Sequence, residues 1–293
     1  DVNSGTVGAV TVDGGALDMD GGTVASLTNT SGTSDVNTGG SVSGTTTVTA
    51  GTVTVAGGAL STTSTVTVDG GTLDVNSGTV GAVTVDGGAL DVAGGTVASL
   101  DLDAGTTQKI SDAGEVTGTT TIDNATLTQS GVSSKLGTDG TDASTVTVGS
   151  GGVYVANDGI AGDVTNNGGT ITAAGTNFAS LDNNSGTVTI MADEKLEAGS
   201  LRNDGNLILE ANATFEGTGN TFNNAGTTTV AEGGSIIDVG AINNLAGGTL
   251  TFAGDATVNA DSDNVGDEIV TNAGTFIVND TSGSTVAVDG DAF

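Results

Sequence analysis

Residues 66–82 read VTVDGGTLDVNSGTVGA, and residues 83–99 read VTVDGGALDVAGGTVAS. The same text returns after 17 residues, and LDLDAG at 100–105 opens a further copy. A repeat this short constrains the fold more than any other feature. A unit of this size cannot close a core alone and must bury it against copies of itself. Each copy holds three short apolar alternations, V-T-V, L-D-V and a run opening at T-V, separated by glycine-rich turns. Alternation of period two marks a half-buried strand, and paired glycines mark corners or close backbone approach. Frequent glycine and β-branched residues oppose a helix. The expectation is an all-β chain, a parallel β-helix (β-solenoid) with three short strands per rung of about 17–22 residues, right-handed by the crossover rule.

In one rung Val83, Val85, Leu90, Val92 and Val97 point inward, and Thr84 and Asp91 point outward. Burying five aliphatic side chains does not offset the ordering of a whole rung of backbone. Rungs must therefore stack, with ladders above and below satisfying the backbone groups. A longer duplication lies over the short one. Residues 1–27 match residues 74–100 except at Met19 against Val92 and Asp20 against Ala93. It reads as a recent copy of several rungs.

One corner can be followed along the chain: glycine, usually threonine, then an apolar residue. It runs from Gly5-Thr6-Val7 through Gly78-Thr79-Val80 and Gly186-Thr187-Val188 to Gly274-Thr275-Phe276. In the later part successive corners lie 17, 19, 21, 22 and 26 residues apart, so the rung grows. Three regions follow: regular acidic rungs at 1–103, with 28–65 irregular; less regular rungs or a loop insertion at 104–145; and 146–293, with longer rungs and an aromatic-containing core. All aromatic residues, from Tyr154 onward, lie in the last region.

Composition narrows the functional classes. The net charge is −31, with 35 acidic side chains against Lys109, Lys135, Lys195 and Arg202. That excludes nucleic acid and anionic membranes as partners, since both need clustered Lys and Arg. No stretch is long and apolar enough for direct membrane insertion. The chain opens on Asp1 and reads as a piece of something longer. Without His or Cys, the usual catalytic bases and nucleophiles are missing.

Four constellations remain to be weighed. Asparagine recurs three residues before the tracked corner residue, as Asn3, Asn76, Asn167, Asn184, Asn203, Asn224 and Asn272. Stacked asparagines hydrogen-bond along a ladder and cap corner backbone, a structural role. The 17-residue period also stacks Asp69, Asp86 and Asp103 at one corner, and Asp74 and Asp91 on one face. Like charges ~5 Å apart repel by about 0.8 kcal/mol at the dielectric of water. Either salt screens these columns or a divalent cation relieves them, and calcium suits such oxygen ligands. The candidate calcium residues are thus Asp69, Asp86, Asp103, Asp74 and Asp91. The cluster of Asp193, Glu194, Lys195, Glu197 and Arg202 could suggest carboxylate chemistry on a polysaccharide, but reads as a solvated loop. Flat ranks of outward threonine occur in ice-binding solenoids. They need T-x-T on successive rungs, whereas the 17-residue copies offer the single threonines Thr67 and Thr84.

Rungs such as LDNNSGTVTI at 181–190 and TFNNAGTTTV at 221–230 resemble the passenger domains of bacterial autotransporter adhesins. The resemblance covers most of 1–27 and 66–103 and nearly all of 146–293. It implies an extracellular, cell-surface rod acting in adhesion, self-association or biofilm formation, with copies of itself or other cell-surface molecules as partners. Members carry a signal peptide and an outer-membrane barrel, and neither is visible in these residues. The family supplies no catalytic residues. A calcium-stabilised subunit of a surface layer or extracellular filament is the alternative, and a polysaccharide-active β-helix enzyme a further one.

Overall fold

The computed structural model describes residues 1–103, 106–137, 145–218, 220–259, 269–279 and 287–289. These form parallel strands stacked as a β-solenoid of about 13 turns, with no helix among the described residues. The chain divides into two compact units, Asp1–Val146 and Thr147–Phe293.

In the first unit, strand Thr6–Met19 lies on Gly22–Asn37 with Thr6 opposite Thr23 and Ala16 opposite Thr33. Residues 28–65 continue the stack. Thr28 pairs with Thr47 and Thr33 with Thr52, then Thr47 with Thr67 and Thr52 with Thr72. Their rungs are longer by two or three residues than the 17-residue copies that follow, where Thr72 meets Ala89 and Thr79 meets Thr96. The additions fall at corners: register shifts lie between Val55 and Ala56 and between Leu60 and Thr65. A corner can lengthen without moving a side chain to the wrong face, whereas one residue added within a strand would invert it. Beyond Asp103 the rungs go on, with Glu115 opposite Thr96, Thr121 opposite Asp101 and Thr126 opposite Thr107. Residues 104–105 and 138–144 lie outside the described set.

The core of this unit is a set of inward columns. Val53, Leu73 and Leu90 stack on one another and are 0–2% exposed. Gln108 is buried as well. Its Oε1 accepts the Leu90 amide and its Nε2 donates to the Gly88 carbonyl at 3.2 Å, so a polar residue enters the core with its groups matched.

The second unit keeps the scheme with growing rungs. Val153, Thr170, Thr187, Asn206, Thr227, Thr249 and Thr275 stand opposite one another in succession. A typical rung comprises strands Lys195–Ala198, Leu201–Asn203 and Asn206–Leu209, three short strands separated by tight corners. Aromatic side chains fill the wider interior. Tyr154 and Phe178 stack with ring centroids 6.1 Å apart, Phe215 and Phe222 lie 6.1 Å apart, and Phe252 and Phe276 lie 5.1 Å apart. Full burial drives the Tyr154 hydroxyl far above its usual pKa, so it stays protonated.

The corner glycines have a steric cause. A Cβ on Gly226 would lie 2.1 Å from the Gly205 carbonyl oxygen and 2.6 Å from the Asp204 carbonyl carbon. Backbone packs directly on backbone there, and only glycine leaves the room.

Candidate functional site

The acidic columns come first. Asp74 stands opposite Asp91, and Asp91 opposite Lys109, whose Nζ lies 4.0 Å from Asp91 Oδ2. On the other side Asp74 faces Thr54, and Thr54 faces Asp35. Partial burial, and then the charge of Asp91, hold the Asp74 carboxyl above the usual carboxylate range. Asp69, Asp86 and Asp103 follow the aligned strand ends Val68, Val85 and Leu102, and all three are exposed. The Asp86 amide donates to the Val68 carbonyl and the Asp103 amide to the Val85 carbonyl. Beside them Asp101 is pushed up by burial first, then by Asp103, Asp123 and Asp86. Each column carries one acid per rung. Among the described residues no group of three or more converges as a metal-holding set.

These shifts have a consequence for stability. A carboxyl raised in the folded state binds its proton more tightly there than in the unfolded chain. Stability therefore falls as pH rises from the unfolded value near 3.9 through the raised folded value, and is regained on acidification. Asp74→Asn with Asp101→Asn is expected to raise Tm at pH 7 by about 1–4 °C and to flatten its rise between pH 7 and 4.5. Calorimetry across that range checks it; an unchanged slope would show that these two carboxyls do not carry it.

The asparagines form a ladder in the second unit, buried from Asn166 to Asn244 and ending at the exposed Asn272. Asn166, Asn183, Asn203, Asn224, Asn244 and Asn272 stand opposite one another on successive rungs. Each Nδ2 donates to the next Oδ1, at 3.0, 2.7, 2.9, 2.8 and 2.7 Å in order. Each also reaches a corner carbonyl of the next rung: Asn183 that of Asn206, Asn203 that of Thr227, Asn224 that of Thr249, Asn244 that of Thr275. Thr228, turned into the core, donates to Asn224 Oδ1 at 2.9 Å.

Of the residues singled out from the sequence, Asn203, Asn224 and Asn272 stand in this ladder. Asn167 and Asn184 stand one position later and outward, where Asn184 Nδ2 donates to Asn167 Oδ1 at 3.0 Å. Asn3 and Asn76 are exposed in the first unit. Counting back from the threonine crosses a corner of variable length. Counting forward from the preceding inward residue stays inside a strand: Val164, Leu181, Leu201, Phe222, Ile242 and Val270 each lie two residues before a ladder asparagine. That alternation is the signal that finds Asn166, Asn183 and Asn244. Asn29 was missed as well. It is buried in the first unit, donating to the Thr52 carbonyl at 2.9 Å.

The mixed-charge cluster does not converge. Lys195 pairs with Glu197 and with Glu216, the latter at 3.1 Å. Arg202, on the strand Leu201–Asn203, pairs with Asp204 just beyond that strand's end, and Asp193 accepts from Asn212 at 2.9 Å.

The outer faces of the second unit differ in charge. Asn177, Glu197, Glu216 and Ile237 form an outward column, with Lys195 beside it. Asp182, Arg202, Asn223 and Asn243 form another. The third face begins at the glycine corner. Its first column is Val153, Thr170, Thr187, Asn206, Thr227, Thr249 and Thr275; its second is Val155, Thr172, Thr189, Ile208, Thr229, Thr251 and Ile277. No charged residue stands in either column. Threonine pairs T-x-T occur on four of these rungs, two before and two after the Asn206–Ile208 rung, so paired threonines do align in register here.

No family model matches the chain, and no curated protein matches it. Among solved structures it is similar to a fragment of TibA hyper-glycosylated by TibC, with a TM-score of 0.67 and 22% identity. The match covers 97% of this chain and 100% of that one. The likeness spans the stack from end to end at low identity: this chain is an all-β parallel solenoid with the fold of the TibA fragment.

Proposed function

We propose that the chain is a non-enzymatic, extracellular β-solenoid of the bacterial cell surface that acts in adhesion, self-association or a biofilm matrix. The observation that carries this reading is the stack itself. Long outer faces repeat rung by rung, while the polar groups that meet are spent on one another: buried asparagines on asparagines, Lys195 and Arg202 on neighbouring acids. Among the described residues no reactive groups converge on one point, and much is presented along a line where a surface could be gripped. The autotransporter-like rungs at 181–190 and 221–230 and the fold of the TibA fragment support the same reading.

Display of residues 1–293 on a non-aggregating bacterial strain tests it. Displaying cells are expected to settle or to adhere to abiotic and cellular surfaces faster than cells with an equally expressed inert passenger. Equal behaviour of the two strains would sink the proposal. The second reading, a calcium-stabilised structural subunit built on Asp69, Asp86, Asp103, Asp74 and Asp91, separates in the same assay. Chelation at constant ionic strength would then lower Tm and disperse assemblies; indifference removes calcium from the account.

A further inference from the structure

Resting on the self-association part of that reading, we infer that the glycine–threonine face of residues 153–277 is the surface through which two copies of this chain meet. Charge selects it. At a net charge of −31, two copies repel on approach, and the repulsion acts over the Debye length, about 8 Å at physiological salt. The other two described faces carry Asp163, Asp182, Glu197 and Glu216 against Lys195 and Arg202, so they stay net negative after pairing and repel their counterparts. The two columns of the glycine–threonine face bring no ionised group to the contact, and the acids nearest them stand at the rim. At its rim Asp204 is already paired with Arg202, and Glu210 Oε2 accepts the Ala192 amide at 3.0 Å.

The side chains suit a contact. Thr170, Thr227, Thr275 and Ile277 are exposed and the rest of the two columns half-buried, so the surface is shallow and even. β-branched threonine loses little rotamer freedom on contact and offers both a methyl and a hydroxyl. Val153, Val155, Ile208 and Ile277 add apolar patches to the same face. A twofold arrangement sets the columns against themselves, and each hydroxyl can donate to or accept from its counterpart. The strands lie ~4.8 Å apart, so seven rungs span about 29 Å, and a four-residue strand spans about 13 Å. That gives roughly 400 Å² per copy, about half a standard stable interface. The pairing is thus weak between free chains and becomes strong where many chains on two apposed cell surfaces engage together.

Sedimentation velocity at rising protein concentration, in 50 mM and in 500 mM salt, tests the assignment. The wild-type chain is compared with Thr189→Glu/Thr251→Glu on this face and Thr221→Glu/Thr257→Glu on the other two. The pairs add the same charge, and circular dichroism confirms that each variant keeps its strands. The expected result is reversible association of the wild type that strengthens at high salt, is weakened at least tenfold by Thr189→Glu/Thr251→Glu, and changes less than twofold in the control. Association that both pairs affect equally, or that weakens with salt, overturns the choice of face and leaves self-association standing. A wild type that stays monomeric at every concentration and salt overturns the face and the self-association reading together. Thermal hysteresis from such a monomer would assign the threonine array to ice instead.

Discussion

Asn203→Asp is expected to destabilise the second unit by about 3–5 kcal/mol at pH 7, the range for leaving a buried charge without a compensating partner. Asn203 Oδ1 accepts from Asn183 at 2.7 Å, and a carboxylate keeps that bond. The other side of Asn203 is donor-only. Its Nδ2 serves Asn224 Oδ1 at 2.9 Å, the Thr227 carbonyl at 3.0 Å and, at 3.1 Å, the Thr228 hydroxyl oxygen, whose own hydrogen goes to Asn224 Oδ1. An ionised aspartate sets an oxygen against those oxygens in a site closed to water, where Asn203 is 0% exposed. Burial and these acceptors raise the pKa of the introduced acid in the folded state. Its penalty is therefore full at high pH and is relieved as pH falls through that raised value, when the acid regains a proton to donate. Asn203→Leu carries no charge and leaves Asn183 still bonded to the Asn206 carbonyl and Asn224 still bonded to Thr228, so a smaller loss of about 1–3 kcal/mol is expected, independent of pH. Thermal melts of both variants at pH 4 and 7 make the comparison. A pH-independent Asn203→Asp, equal to Asn203→Leu, would mean that the ladder's donor direction has no energetic weight.

The glycine column supplies the second large effect. Gly226→Ala is expected to cost more than about 4 kcal/mol, while Gly247→Ala on the next rung costs about 1–2 kcal/mol. At Gly226 the added Cβ meets backbone atoms of the preceding rung at 2.1 and 2.6 Å, and relief requires two rungs to part. The ladder bond from the Thr227 amide to the Gly205 carbonyl, 2.8 Å long, is broken with them. Gly247 has a φ of +92° but nothing within 4 Å of its Cβ, so only the left-handed backbone is strained. Equal melting temperatures for the two variants would contradict the close-packing account of the corner. The contrast cannot be read from the sequence, where each is one more glycine at the corner before a threonine, Gly226 before Thr227 and Gly247 in the Gly247-Gly248 pair before Thr249.

Asparagine shows where reading the sequence succeeds and where it stops. Strand alternation is local: the inward Leu181 fixes Asn183 as inward, and the inward Phe222 fixes Asn224. Corner length is not local, because it depends on which carbonyls the neighbouring rung offers. An offset measured across the corner therefore points at Asn167 and Asn184 where the fold buries Asn166 and Asn183. The acid columns are similar. The 17-residue period places Asp74 beside Asp91, but only the stacked structure puts Lys109 at the end of that column and raises the Asp74 carboxyl.

Periodicity two, glycine corners and the 17-residue repeat sufficed to specify a parallel β-solenoid, because each is a property of a single rung that every rung shares. The spacing of the corners, 17 to 26 residues, also gave the cross-rung register of the second unit from Thr170 to Thr275. Tertiary structure decided what a given residue experiences. Val7 and Val80 occupy equivalent positions in the duplicated text, yet Val7 is 37% exposed and Val80 is fully buried. Val80 is enclosed because Leu60 stands on one side and Val97 on the other. Burial, the donor direction of the asparagine ladder and the charge-free face all arise between rungs, and a contact between rungs is specified by no rung alone.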